Sequence, residues 1–200
     1  MPPRKVRLIG RTLSWIVAHA PWLWPAIRGP VQRFWNRSAG SWDVNESPNR
    51  TNSLRVAIDE MGDPGRILEI GCGTGSGTAI LKARFPRAEI TGVDLSPEMV
   101  RIATAKVEGV TFEPADASRL PFADGSFDLV AQNNVPVYFD ELARVTAPGG
   151  RVLITSTFGP ATPYYTPHNV LRGRFGKLGF TDMLSEQSPP GDWFSACKPS

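Results

Sequence analysis

The sequence predicts an α/β fold of three layers, α/β/α, built on a doubly wound, mostly parallel sheet of seven strands. Three observations carry that prediction. Residues 66–70 form a short apolar run ending in a glycine loop, strand and helix patterns then alternate to residue 157, and residues 180–198 hold two more strand patterns around a Pro-Pro-Gly turn.

In the first of these, Ile67, Leu68 and Ile70 have the unbroken apolarity of a parallel strand covered on both faces. Gly71, Gly73 and Gly75 follow at every second position. Glycines so spaced let the backbone turn sharply and present N–H groups to a ligand where the next helix begins. Then come helix 77–85, strand 88–94, helix 97–107, strand 110–115, strand 127–132, helix 137–146 and strand 150–157. Ser96 caps the second helix and Pro97 fits its first turn. Strands and helices alternating at these lengths imply a parallel sheet with helices on both faces. Asp128, within Phe-Asp-Leu-Val, reads as a strand start and not as a ligand contact. After Pro167 a short helix leads to strand 180–187, the turn Ser188-Pro189-Pro190-Gly191 and strand 192–198, an antiparallel closing hairpin. Upstream, Asn45–Thr51 is polar and broken by Pro48, a helix runs from Asn52 to Met61, and Pro64-Gly65 turns the chain into the first strand.

Composition agrees with one domain that has a full core: 200 residues, 41% hydrophobic. The two cysteines, Cys72 and Cys197, lie far apart, which reads as an intracellular chain without disulfide staples. His19 and His168 are equally separated and no zinc-like spacing occurs, so no metal site is expected.

Charge divides the chain. Residues 1–42 hold Arg4, Lys5, Arg7, Arg11, Arg28, Arg33 and Arg37 and no acid, a charge of +7, while the remainder carries −4. We therefore read residues 1–50 as a basic, Trp-rich arm or lid and residues 51–200 as the main domain. Val6, Ile9, Leu13, Ile16, Val17 and Ala20 recur at helical spacing, with Arg4, Arg7, Arg11 and Ser14 on another face, and Pro21 ends the helix. Five of the six tryptophans (Trp15, Trp22, Trp24, Trp35, Trp42) fall in or just after it. Such an arm suits a lid over the main domain, a membrane interface or a dimer contact. No stretch is long enough for a membrane span, Pro21 disfavours a secretory signal, and nothing resembles a nucleic-acid reader.

The ligand of the glycine loop follows from its spacing. A dinucleotide fingerprint needs G-x-G-x-x-G, but the sixth position is Ser76 counted from Gly71 and Thr78 counted from Gly73. The loop is instead E-x-G-x-G-x-G, with the Glu69 carboxylate placed to face a cationic amino group. Asp94 ends the next strand about twenty residues on, where doubly wound sites hold a ribose hydroxyl. In order after these come Glu113–Ala117, Leu120–Val130, Glu141–Val145 and Ala147–Ile154. Together the pieces resemble the class I S-adenosylmethionine-dependent methyltransferases, a Rossmann-like group, and within it the ubiquinone- and menaquinone-type enzymes. The closing hairpin also resembles their sheet.

The resemblance implies S-adenosylmethionine as cofactor and S-adenosylhomocysteine as product. It implies that Glu69 and the amides of Gly71, Cys72, Gly73 and Gly75 hold the amino-acid part. Asp94 takes the ribose hydroxyls and Leu95 packs on adenine, while Asp116 accepts from the adenine amine, Ala117 offers an N–H and Gln132 lies nearest the reacting centre. Phe34–Asp43 looks like the group's aromatic-aspartate segment, with Trp42 where tyrosine is usual. Asn133-Asn134 stands where paired histidines are common, and an asparagine is no general base near neutral pH. The catalytic residue is thus open, with Asn134, Tyr138 and His168 as candidates and Tyr164 and Tyr165 as pocket lining. The expected activity is methyl transfer to a small apolar acceptor (quinone, phenol or lipid-like) by a cytoplasmic protein with membrane association through the arm. The alternatives are a non-catalytic cofactor-binding adaptor of the same fold and a methyltransferase for protein or RNA.

Overall fold

A computed structural model of the chain describes residues 4–43 and 50–200. The polar segment expected around Pro48, and the side chains of Arg4 and Val6 on the expected helix face, lie outside the described residues. Two helices, α1 (Arg4–His19) and α2 (Trp24–Ser38), precede α3 (Asn52–Ala57). The sheet and its helices follow as β1 (Arg66–Ile70), α4 (Ser76–Arg84), β2 (Glu89–Asp94), α5 (Pro97–Lys106) and β3 (Thr111–Pro114). Next are β4 (Phe127–Asn133), α6 (Phe139–Val145), β5 (Thr146–Ser156), α7 (His168–Lys177), β6 (Thr181–Ser188) and β7 (Gly191–Cys197).

The seven strands form one sheet in the order β3-β2-β1-β4-β5-β7-β6. The first five pair in parallel, and β7 runs antiparallel to both β5 and β6. The expected α/β/α class and closing hairpin are therefore present. The strand order reverses between β1 and β4, and in open sheets of this kind ligands gather outside the carboxyl ends of strands at that switch.

Period-two alternation divides the core between the two faces of the sheet. On one face Ile67, Leu129 and Leu153 pack with Leu54, Leu81 and Phe85; on the other, Leu68, Val130 and Val152 pack with Leu142, Phe175 and Phe194. Asp128 accepts from the backbone N–H of Gly65 at 3.1 Å and of Arg66 at 2.8 Å. It thus pins the amino end of β1, as a strand-start residue should. Ser96 caps α5 by accepting from the Met99 N–H at 3.2 Å.

Two departures from the sequence reading have clear causes. Strand β5 starts at Thr146 and not at residue 150, because Gly149, at φ 76°, and Gly150 let it bulge against β4 without breaking the run. A Cβ on Gly150 would meet the carbonyl oxygens of Ala147 and Asp128 at 2.9 Å. Helix α2 is not among the elements expected from the sequence, and it contains Pro25, Gly29 and Pro30. Pro25 lies in its first turn, where no N–H is needed. Pro30 is on the exposed side, where the carbonyl it displaces can face water. Trp24, Val31 and Trp35 hold the inner stripe. Val17 on α1 and Ala20 just after it are buried as expected, but Ile9 is on the outer face and 61% exposed.

Candidate active site

One cavity of about 550 Å³ lies over the carboxyl ends of β1, β2 and β4, within the range of small-molecule sites. Its floor starts with Glu69, the fourth residue of β1, only 3% exposed yet lining the cavity. Its carboxylate accepts from the Thr78 hydroxyl. Burial pushes its pKa up to about 8, Thr78 opposes that, and the Asp94 charge adds to the rise. A Cβ on Gly77 would run into this carboxylate, so only glycine lets α4 start so close. Gly71, Gly73 and Gly75 all have positive φ, at 72°, 53° and 84°. A Cβ on Gly71 would also strike Val135.

Asp94 closes β2 and turns back toward the loop, accepting from the Gly73 N–H at 3.0 Å and the Ser96 N–H at 2.8 Å. Burial raises its pKa against both donors. Cys72 lines the cavity as a thiol, since burial followed by the Asp94 and Glu69 charges drives its pKa far up. Leu95, Asp116 and Ala117 complete the floor beyond β2 and β3.

The roof is the amino-terminal arm. Trp24 donates from Nε1 to both carboxylate oxygens of Asp116, at 3.0 and 2.9 Å, and Arg28 pairs with the same group at 3.3 Å. Gln32 donates to the Leu95 carbonyl at 2.8 Å, and Asn36 accepts from the Ser96 hydroxyl at 2.6 Å. Arg11 of α1 donates to the Pro160 carbonyl at 3.1 Å. Between these polar pins Leu13, Val31, Phe34 and Trp35 face the cavity. Trp42 closes one side with the Arg50 guanidinium 4.1 Å over its ring. Asp43 next to it accepts from the Thr74 hydroxyl and from Lys106, the latter at 2.9 Å, which ties the arm to the glycine loop. Burial raises the Asp43 pKa, but the Thr74 and Lys106 bonds prevail and hold it below the usual carboxylate value.

The structure brings together most of the expected residues. Glu69, Gly71, Cys72, Gly73, Asp94, Leu95, Asp116, Ala117, Asn134, Tyr138 and Tyr164 all line the cavity. Gly75 is just behind, shaping the first turn of α4. Gln132 is directed away: it is buried, donates to the Val135 carbonyl at 3.3 Å, and leaves its neighbour Asn133 on the cavity side. The period of two explains this, since adjacent strand residues face opposite ways. His168 is also outside, 3.5 Å from Asp192 at the start of α7, where Tyr165 bonds Asp192 as well. Asn134 has φ 56°, and its amide is engaged twice by Thr157, donating to Oγ1 at 2.6 Å and accepting from N–H at 2.9 Å. Burial keeps both cavity tyrosines neutral, Tyr164 pushed up to about 12 and Tyr138 higher still. The sequence reading named Asn133, Trp24 and Trp35 without placing them in the site, and missed Thr157 and the inner stripe of α2. The 24-28-31-35 spacing was its only trace.

The residues present fit the expected cofactor. The glycine cradle admits no Cβ at Gly71, the buried Glu69 suits an ammonium partner, and Asp94 lies beside the loop amides. Residues 67–150 match the family described as a methyltransferase domain. That match takes in Glu69, the glycine loop, Asp94 and Asp116, so the floor of the cavity is what the chain shares with methyltransferase domains. Among curated proteins, the demethylmenaquinone methyltransferase of Thermus thermophilus is 44% identical over 116 residues, 52% of this chain and 52% of that protein. The enzyme of the same name from Staphylococcus aureus is 34% identical over 139 residues, 64% of this chain and 58% of that one. The chain thus spans little more than half the length of either relative. Among solved structures, a chain in the Haloferax volcanii complex between the Trm112 methyltransferase activator and a methyltransferase superposes with TM-score 0.71 at 18% identity, over 83% of this chain and 98% of that one. Phosphoethanolamine N-methyltransferase 2 of Haemonchus contortus, bound to S-adenosylhomocysteine, gives 0.62 at 22% identity, over 74% and 53%. Among the described residues no helix is long and apolar enough to cross a membrane, and no three His, Cys, Asp or Glu side chains are grouped to hold a metal.

Proposed function

We propose that this protein transfers the methyl group of S-adenosylmethionine to a small apolar acceptor of the quinone, phenol or lipid-like class. The observation that carries the reading is the two-sided cavity. Its floor joins Glu69, the glycine loop and Asp94, while its roof adds Leu13, Val31, Phe34, Trp35 and Trp42. The names of the two curated relatives support a quinone as the acceptor. Apolar acceptors partition into bilayers, so the reading includes peripheral membrane contact by a protein otherwise in the cytoplasm.

In this reading residues 1–50 are a lid and residues 51–200 the catalytic body. Glu69 and the loop amides hold the amino-acid part of the donor, and Asp94 the ribose. Asp116, already bonded by Trp24, Arg28 and the Ser118 N–H, would accept the adenine amine in exchange for one of these donors. The bound donor supplies an already activated methyl carbon. What the chain adds is alignment of the acceptor and exclusion of water by the roof. With Asn134 tied to Thr157 and both tyrosines neutral, the cavity holds the acceptor in place and leaves its proton to the acceptor's own acidity. The same tying of Asn134 favours the second reading, a cofactor-binding adaptor without turnover.

Calorimetric titration with S-adenosylmethionine and S-adenosylhomocysteine tests the first half. Binding of both is expected, with Asp94→Ala weakening it by about tenfold, or 1.4 kcal/mol. Methyl transfer to quinones and phenols, and not to protein or RNA, is expected next. Failure of the folded protein to bind either ligand would overturn the reading. Binding without turnover on any acceptor would select the adaptor.

A further inference from the structure

Large apolar side chains exposed to solvent are concentrated on the arm. Of the ten among the described residues, Leu8, Ile9, Trp15, Trp22, Leu23 and Phe34 fall within 27 positions, with Leu8 67% and Trp22 73% exposed. Helical spacing collects them. Leu8, Ile9, Thr12, Trp15 and His19 occupy one arc of α1, while Gly10, Val17 and Ala20 are buried opposite and Leu13 lines the cavity. The inner face is used up by the site, and among the described residues the outer face stays exposed. Trp22 and Leu23 continue the apolar surface through the turn into α2.

Charge identifies what covers it. Residues 1–42 carry seven basic side chains and no acidic one, and Arg11, Arg33 and Arg37 are exposed. A symmetric pairing of two copies through this face would set arginine against arginine. A bilayer with anionic headgroups complements it, since the indoles and aliphatic side chains enter the interface while the guanidinium groups meet phosphate.

We infer that the outer face of α1 and the turn after it docks on an anionic lipid bilayer. Phe34 shows what this does for the site: it is 54% exposed and also lines the cavity, so it stands at the rim. Docking brings that rim to the membrane, and an apolar acceptor passes from lipid into the cavity without crossing water. The inference deepens the apolar-acceptor reading. Its test needs neither donor nor acceptor, so failure of docking and failure of methyl transfer are read separately.

The full chain is mixed with phosphatidylcholine vesicles, with and without phosphatidylglycerol, and followed by flotation. It should float with the anionic vesicles and much less with the neutral ones, and its binding should weaken as salt rises. The triple variant Leu8→Ser, Trp15→Ser, Trp22→Ser, none of which touches the cavity, should bind at least about tenfold more weakly. Arg33→Gln and Arg37→Gln should each cost about fivefold. The urea-denaturation midpoint should be unchanged for all three variants, which certifies their fold. Three results would overturn the inference: no flotation of the wild type with anionic vesicles at low salt, equal flotation of the triple variant, or a wild-type dimer in equilibrium ultracentrifugation that the triple variant dissociates.

Discussion

The floor and the roof of the cavity are built on different principles. On the floor, position is set by backbone: three glycines at positive φ, a Gly77 packed under Glu69, and strand ends held in a seven-stranded sheet. On the roof it is set by side chains reaching across, Trp24 to Asp116, Gln32 to Leu95, Asn36 to Ser96 and Arg11 to Pro160. Backbone placement tolerates almost no change of residue, whereas any one side-chain pin can be lost and the helix still stay down on the others. The floor is therefore rigid, and the roof adjustable.

Three substitutions sharpen that contrast. The largest effect is expected from Gly71→Ala, which forces a side chain into a left-handed conformation and against Val135. It should cost about 2–4 kcal/mol in urea denaturation and abolish donor binding. A mild loss would mean that the loop is as adaptable as the roof.

Glu69→Gln comes second, with donor affinity expected to fall about thirtyfold by calorimetry through loss of a charged hydrogen bond. The buried carboxyl also makes a pH signature. Its folded-state pKa, about 8, is above the ordinary value of 4.5. Its contribution to the stability of the ligand-free protein is therefore complete below pH 4.5 and lost as pH rises through 8. The variant should flatten that decline. Donor binding to the wild type near pH 7 should release about one proton, read from titrations in buffers of different ionisation enthalpy. No proton release would show that Glu69 is already ionised in the free protein.

The smallest effect is expected on the roof. Trp24→Phe keeps an aromatic ring but removes both bonds to Asp116, and should loosen the arm by about 1 kcal/mol with little change in global stability. Amide exchange should quicken in α2 and not in β1. Equal quickening in both would erase the distinction between roof and floor.

The same contrast explains what was legible in the sequence. The floor was readable because its chemistry is local: glycines two apart, a carboxylate before them, and an acid at the next strand end are each signals within a few residues. Gln132 was misdirected by the same strand logic taken one residue off, since Asn133 has the cavity-facing parity. The roof was readable as an amphipathic arm, but not as the partner of Asp116, because that pairing is a tertiary choice without local signature. Helix α2 is not favoured by its local sequence, which carries two prolines, Pro25 in the first turn, where a missing N–H costs little, and Pro30 inside the helix, where packing of the inner stripe has to outweigh the lost bond. His168 looked available as a lone titratable residue, and only the fold shows it next to Asp192.

The pins of the roof also fix an order of events. Trp24 and Asp116 are 92 residues apart, Gln32 and Leu95 63, Asn36 and Ser96 60, and Arg11 and Pro160 149. On the ribosome the arm is made before the sheet, and none of these partners exists until at least β1 and β2 have been synthesised. Contacts so distant in sequence form late, after the loops between them have closed. The arm, made before the sheet, thus finds its place after it, and through that interval both its apolar faces are exposed.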